Sequence, residues 1–219
     1  MKRVLVLSAH PDDETLGLGG TIAKMSKNGD IIYVLVFADG ETARKNNKLK
    51  ISERRKQAKD ASKVLGIKQI EFLNYEDQKL DTIPLVELSK HIENAIRKWN
   101  PNVIFTHFYG DVNQDHKAVF DATLIATRPT PKSKITEVIC YETPSSTEWG
   151  IQKFNPNFYE DISKFIKTKQ SAFKKYKGEI EMFPHPRSLE AIFLISKRWG
   201  STIGLKHAEA FLKIREISK

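Results

Sequence analysis

The chain has 219 residues, 40% of them hydrophobic, with 36 Lys and Arg against 27 Asp and Glu for a formal charge of +9, and one cysteine. A lone Cys140 excludes an intrachain disulfide and any cysteine-based zinc cluster. No apolar run approaches the ~20 residues of a membrane helix, which excludes a spanning protein of that kind.

The opening Met1-Lys2-Arg3 before Val4–Leu7 imitates a signal peptide, but the apolar stretch is too short and runs into charge, so a cytoplasmic location is expected. With no Gly/Ser-rich or Pro-rich linker, residues 1–219 are expected to form a single domain. The positive charge admits nucleic acid, an anionic surface or a phosphorylated substrate as partner. Lysines such as Lys164, Lys167, Lys169, Lys174, Lys175 and Lys177 are dispersed and read as a solvated face. No nucleic-acid module is visible, and no nucleic-acid partner is expected.

In chain order, the apolar run Val4-Leu5-Val6-Leu7 predicts a buried strand over 3–8, followed by a helix over 15–28. Gly29-Asp30 turns the chain into a second buried strand over 31–37. The spacing of Ala58, Ala61, Val64 and Leu65 predicts a helix over 52–65 with Gly66 as its C-cap. A short strand over 70–73, a helix over 83–99 ending before Pro101, a strand over 103–107 and a helix over 117–126 follow. A strand is predicted over 135–141, with Cys140 as a buried, inert thiol. The irregular stretch 141–157, carrying Pro144, Trp149 and Pro156, reads as a loop near the ligand edge of the sheet. Helices are predicted over 161–176, 189–199 and 207–217. Strands alternating with helices imply βαβ units: a Rossmann-like α/β fold with a mostly parallel, doubly wound sheet in a three-layer αβα arrangement.

Two predicted strand ends carry dense polar clusters. The first is His10-Pro11-Asp12-Asp13-Glu14, where Pro11 stops the strand. The second is His107-Phe108-Tyr109-Gly110-Asp111-Val112-Asn113-Gln114-Asp115-His116. Ligands of open α/β sheets bind at that end of the strands. If the two strands are neighbours, an imidazole and a carboxylate from the first cluster and an imidazole from the second make a His/Asp/His facial set with positions open for water. Asp12 is then free to act as base. Glu14 reads equally as helix capping, and His107 as a wall of the site. Gly17, Gly19 and Gly20 follow the acids without the Lys-Ser/Thr of a phosphate loop, so they read as close helix packing.

Ala9–Glu14 with Leu16-Gly17-Leu18-Gly19-Gly20 resembles the opening signature of the PIG-L/LmbE-like family of zinc-dependent N-deacetylases, which act on N-acetylglucosaminyl substrates. Asn113-Gln114-Asp115-His116 is similar to the family's His-x-Asp-His motif, and Phe183-Pro184-His185-Pro186-Arg187-Ser188 with Ala208-Glu209-Ala210-Phe211 to its C-terminal pattern. The resemblance implies one divalent ion per chain, Zn2+, bound by His10, Asp13 and His116, with Asp12 as general base. It also implies Asp115 as a group that orients a neighbouring imidazole or water. The substrate would be an N-acetylated sugar conjugate, with the basic surface favouring an anionic one such as a sugar nucleotide or phospho-sugar. Many family members carry histidine at the Asn113 position, and Asn cannot supply a proton. The acid role then falls to His185, to protonated Asp12 or to water, and Asn113 with Asp111 is expected on sugar hydroxyls. Arg54 and Arg187 are the other expected substrate contacts, and Gln57 stands where a glutamate is common. Two alternatives stay open: a related zinc amidase on another N-acyl amine, and a non-catalytic sugar- or metal-binding protein. The oligomeric state is open, a homo-oligomer included.

Overall fold

The computed structural model describes residues 1–43 and 50–218. Among the described residues there are seven strands: β1 (Arg3–Ser8), β2 (Ile31–Ala38), β3 (Gln69–Tyr75), β4 (Val103–His107), β5 (Glu137–Tyr141), β6 (Phe158–Asp161) and β7 (Ala208–Glu216). The helices are α1 (Asp13–Lys27), α2 (Ile51–Leu65), α3 (Leu85–Trp99), α4 (Gln114–Ala126), α5 (Ile166–Phe173) and α6 (Leu189–Thr202). The strands form one sheet in the order β3-β2-β1-β4-β5-β7-β6. β1 to β5 run parallel, and β7 lies antiparallel between β5 and β6.

Alternation along β1 explains why its run is apolar at every position. Val4 and Val6 join a core with Leu16 and Ile22 of α1, Ala58 of α2 and Phe173 of α5. Leu5 and Leu7 point the other way, into a second core with Leu88 and Ile92 of α3 and Val119 of α4. The expected three-layer, mostly parallel sheet is therefore present, and Gly66 closes α2 in the left-handed conformation (φ 76°). β1 pairs with both β2 and β4. The chain thus winds outward through β3 and returns to the other side of β1, which puts the topological switch point at the carboxyl ends of β1 and β4.

Two predicted helices are corrected. Segment 161–176 divides into the end of β6 and the short α5, and 207–217 is β7. Ala208-Glu209-Ala210-Phe211-Leu212-Lys213 has strong helical propensity, but two strands flank it and ladder pairing overrides that preference. Lys169 is also not part of the solvated face: it is 5% exposed, and its Nζ donates to Glu209 Oε1 of β7 (2.6 Å). Lys164, Lys167, Lys174, Lys175 and Lys177 are exposed as expected. Gly17 lets α1 approach the end of β5, because a Cβ there would fall 2.3 Å from Tyr141 Cδ2. Cys140 is buried, and burial pushes its thiol up to about 12. No helix among the described residues is long and apolar enough to cross a membrane.

Candidate metal centre and its carboxylate base

The ends of β1 and β4 are stitched together by His107. Its Nε2 accepts the amide of Ala9 (2.9 Å), and its ring is fully buried. Burial and the adjacent His116 push its imidazole down to about 4, so it stays neutral and serves as a wall. His116 stacks on it, with ring centroids 3.9 Å apart.

Donor atoms of His10, Asp13 and His116 all lie within 4.8 Å of one another, and all three residues are buried. Asp13 Oδ2 sits 3.5 Å from His10 Nδ1 and 3.6 Å from His116 Nε2. Asp13 Oδ1 is buried and accepts no hydrogen bond among the described residues. The far nitrogen of each imidazole meets a carboxylate. His10 Nε2 faces Asp115 Oδ2 (2.9 Å) and Asp77 Oδ1 (3.0 Å), and His116 Nδ1 faces Asp111 Oδ2 (3.1 Å). A proton on each outward nitrogen turns the lone pairs of His10 Nδ1 and His116 Nε2 toward Asp13. Two imidazole lone pairs and a carboxylate with a spare oxygen fit a divalent cation bound on one face. Asp115 cannot drift from His10, because its two oxygens also accept the amides of Gln78 and Leu80 (2.9 Å each). We expect Asp115→Asn to weaken metal affinity about 10–100-fold. Competitive titration against a chelator measures it, and an unchanged affinity would remove Asp115 from this role.

Asp12 and Asp13 are neighbours in sequence but face different groups. The backbone at Asp12 has φ 130°, a conformation rare outside glycine, and this turn separates the two carboxylates. Asp12 Oδ2 accepts from Arg54 Nη2 (3.0 Å) and lies 3.6 Å from Arg187 Nη1. Asp12 Oδ1 is buried without a hydrogen-bond partner among the described residues. Burial raises the Asp12 carboxyl to about 6 against the opposing pull of Arg54 and Arg187. Glu179 closes this group from behind, 2.7 Å from Arg54 Nη1 and ion-paired with Arg187 Nη1.

Residues 5–127 match the family model described as GlcNAc-PI de-N-acetylase, PIG-L, which takes in His10, Asp12, Asp13, Arg54 and Asp111 to His116. The chain belongs to the PIG-L family. An uncharacterized deacetylase of Escherichia coli K12, YaiS, is 30% identical over 183 residues, covering 81% of this chain and 91% of that protein. A diacetylchitobiose deacetylase of Thermococcus kodakarensis is 26% identical over 193 residues, 82% of this chain and 70% of its own. The crystal structure of the conserved protein TT1542 from Thermus thermophilus superposes with a TM-score of 0.80 at 27% identity, covering 100% of this chain and 97% of that one.

In this PIG-L chain several residues expected on substrate are occupied elsewhere. Arg54 is 1% exposed, surrounded by Asp12, Glu179 and Glu41 with its guanidinium carbon 5.2 Å from the Tyr176 ring centre. It holds Asp12 and presents no open face. Asp111 is 1% exposed and accepts from Ser146, from Thr147 Oγ1 (2.6 Å) and from the amide of Asn113 (2.9 Å), with Oδ2 facing His116 Nδ1. Burial would raise its carboxyl, but His116, Ser146 and Thr147 bring it down to about 2. Asn113 caps α4, its side chain accepting the amide of Asp115 (2.9 Å). Arg187 is partly exposed and donates Nε to Ser145 Oγ (2.7 Å). His185 Nδ1 accepts the amide of Arg187 (3.1 Å), and no hydrogen bond or ion pair ties it to His10, Asp13 or His116 among the described residues. Glu14 is buried, taking Tyr176 Oη (2.6 Å) and Thr15 Oγ1 (2.7 Å). Asp77, Tyr176 and Glu179 carry no sequence signature of a role. Only the position of Asp77, just past the end of β3, could have marked it as a strand-end carboxylate.

Proposed function

We propose that the chain is a single-domain cytoplasmic deacetylase that hydrolyses the acetamide of an N-acetylglucosaminyl conjugate to acetate and a free amine. One divalent ion, zinc, is held by His10, Asp13 and His116. The observation that carries this reading is a buried His/Asp/His set with a second carboxylate beside it, turned away by the backbone at Asp12. When bound, zinc supplies polarisation of the acetamide carbonyl and a lowered pKa for water.

The chain's own residues do the rest. Arg54 and Arg187 engage Asp12 Oδ2, leaving Oδ1 as the atom that takes the proton of the attacking water. The protonated carboxyl then returns it to the departing amine. His185, held at Nδ1 by the Arg187 amide, lines the entrance in this scheme and is not the acid. Asp115 and Asp111 fix the imidazoles from behind. The basic surface does not extend into the site: the two arginines beside Asp12 are balanced by Asp12 and Glu179, so a neutral conjugate is favoured over a sugar nucleotide.

A screen of acetate release over N-acetylglucosamine conjugates tests this. Turnover that is lost to a chelator and restored by zinc is expected. Release from another N-acyl amine but from no sugar would overturn the sugar assignment.

A further inference from the structure

The loop after β5 and the segment before α6 form the two walls of a groove of about 280 Å3. Its lining is mainly apolar: Pro144 on one side, Phe183, Pro184 and Pro186 on the other, with Leu194 and Ile195 of α6 between. Phe183 is 51% and Leu194 44% exposed, a cluster of apolar surface left in water. Both walls run directly into the site described above. Pro144 is followed by Ser145, which accepts from Arg187 Nε, and then by Ser146 and Thr147, which hold Asp111 behind His116. Pro186 is followed by Arg187, which faces Asp12 Oδ2. The Arg187–Ser145 hydrogen bond therefore ties the two walls together beside the groove, and Arg187 leads from there to Asp12.

The charged groups at the groove discriminate against an anion. Glu142 and Glu148 line it against one guanidinium, Arg198. Glu148 is fixed in place by the amides of Ser145 (2.7 Å) and Ser146 (3.0 Å), and Arg198 lies over the Trp199 ring at 4.4 Å. A phosphate would meet the Glu148 carboxylate and one cation that is already stacked, while Glu142, pushed up to about 7 by burial and accepting from Trp199 Nε1, offers it no positive charge. An alkyl or aryl group would cover Phe183, Leu194 and the prolines.

Building on the deacetylase reading, we propose that this groove is the aglycone subsite and that it takes an apolar alkyl or aryl group linked to the N-acetylated sugar. Each methylene it buries is worth about fourfold in affinity. Three substrates separate the possibilities: N-acetylglucosamine, its hexyl glycoside and its uridine diphosphate conjugate. The hexyl glycoside should show a KM at least about tenfold below that of the free sugar, and the nucleotide no such gain. Leu194→Lys or Phe183→Ser should bring the hexyl-over-free preference close to one. Calorimetric binding of the hexyl glycoside reads the groove without turnover. Wild-type binding that both variants weaken supports the subsite even if no acetate is released, in which case only the deacetylase reading fails. A preference for the nucleotide, equal use of all three substrates, or a hexyl preference that survives both substitutions would overturn the proposal.

Discussion

Asp12→Asn should lower kcat for acetate release by about two to four orders of magnitude while leaving the metal stoichiometry unchanged. The substitution keeps the size and hydrogen-bonding reach of the side chain, so Arg54 retains an oxygen partner. What it removes is the basic oxygen at Oδ1, the buried atom that accepts no hydrogen bond among the described residues. Asp13 makes the contrast. Its carboxylate faces His10 and His116, so Asp13→Asn should lower metal content first and activity with it. Metal analysis alongside kcat separates the two neighbours. Full activity in Asp12→Asn would remove that residue from the proton-moving role.

The largest loss of stability should come from a residue away from the chemistry, Glu209→Ala. α1 is interrupted at Leu18 (φ −142°, ψ 23°), and the amides just beyond the break lack the usual helical acceptors. Glu209 of β7 supplies them, accepting from Gly20 (3.0 Å) and Thr21 (2.6 Å), and the same carboxylate neutralises the buried Lys169. Truncation strands an ammonium group and two amides in the interior, a loss of about 3–5 kcal/mol. For a chain of this length that is about 6–20 °C in melting temperature. A shift below about 3 °C in a calorimetric scan would show that solvent or a rearranged partner replaces Glu209.

The parts of this molecule that were legible in the sequence are those where neighbouring residues do one job. His10, Asp12 and Asp13 lie within one turn, and the apolar runs of β1, β2 and β4 are buried on both faces, so local pattern and tertiary place agree. Residues whose role is set by a distant partner read otherwise. Lys169 looks like its exposed neighbours until β7 places Glu209 against it. Arg54 follows Glu53 and precedes Arg55 and Lys56 in a charged run and reads as a reaching cation, but Asp12, Glu41 and Glu179 enclose it. β7 itself is a helix by propensity and a strand by pairing. Asp111 and Asn113 form a polar cluster that invites a sugar, yet both are used to set α4 and His116.

The left-handed turn at Asp12 imposes a burden that the whole fold carries. A non-glycine residue held at φ 130° stores about 1–3 kcal/mol of backbone tension, and it persists only because buried surroundings leave the chain no easier path. The catalytic corner thus works against folding by a small amount and is maintained by the two cores that flank β1. Selection for stability alone would place glycine there, so the aspartate records a compromise between robustness and reactivity.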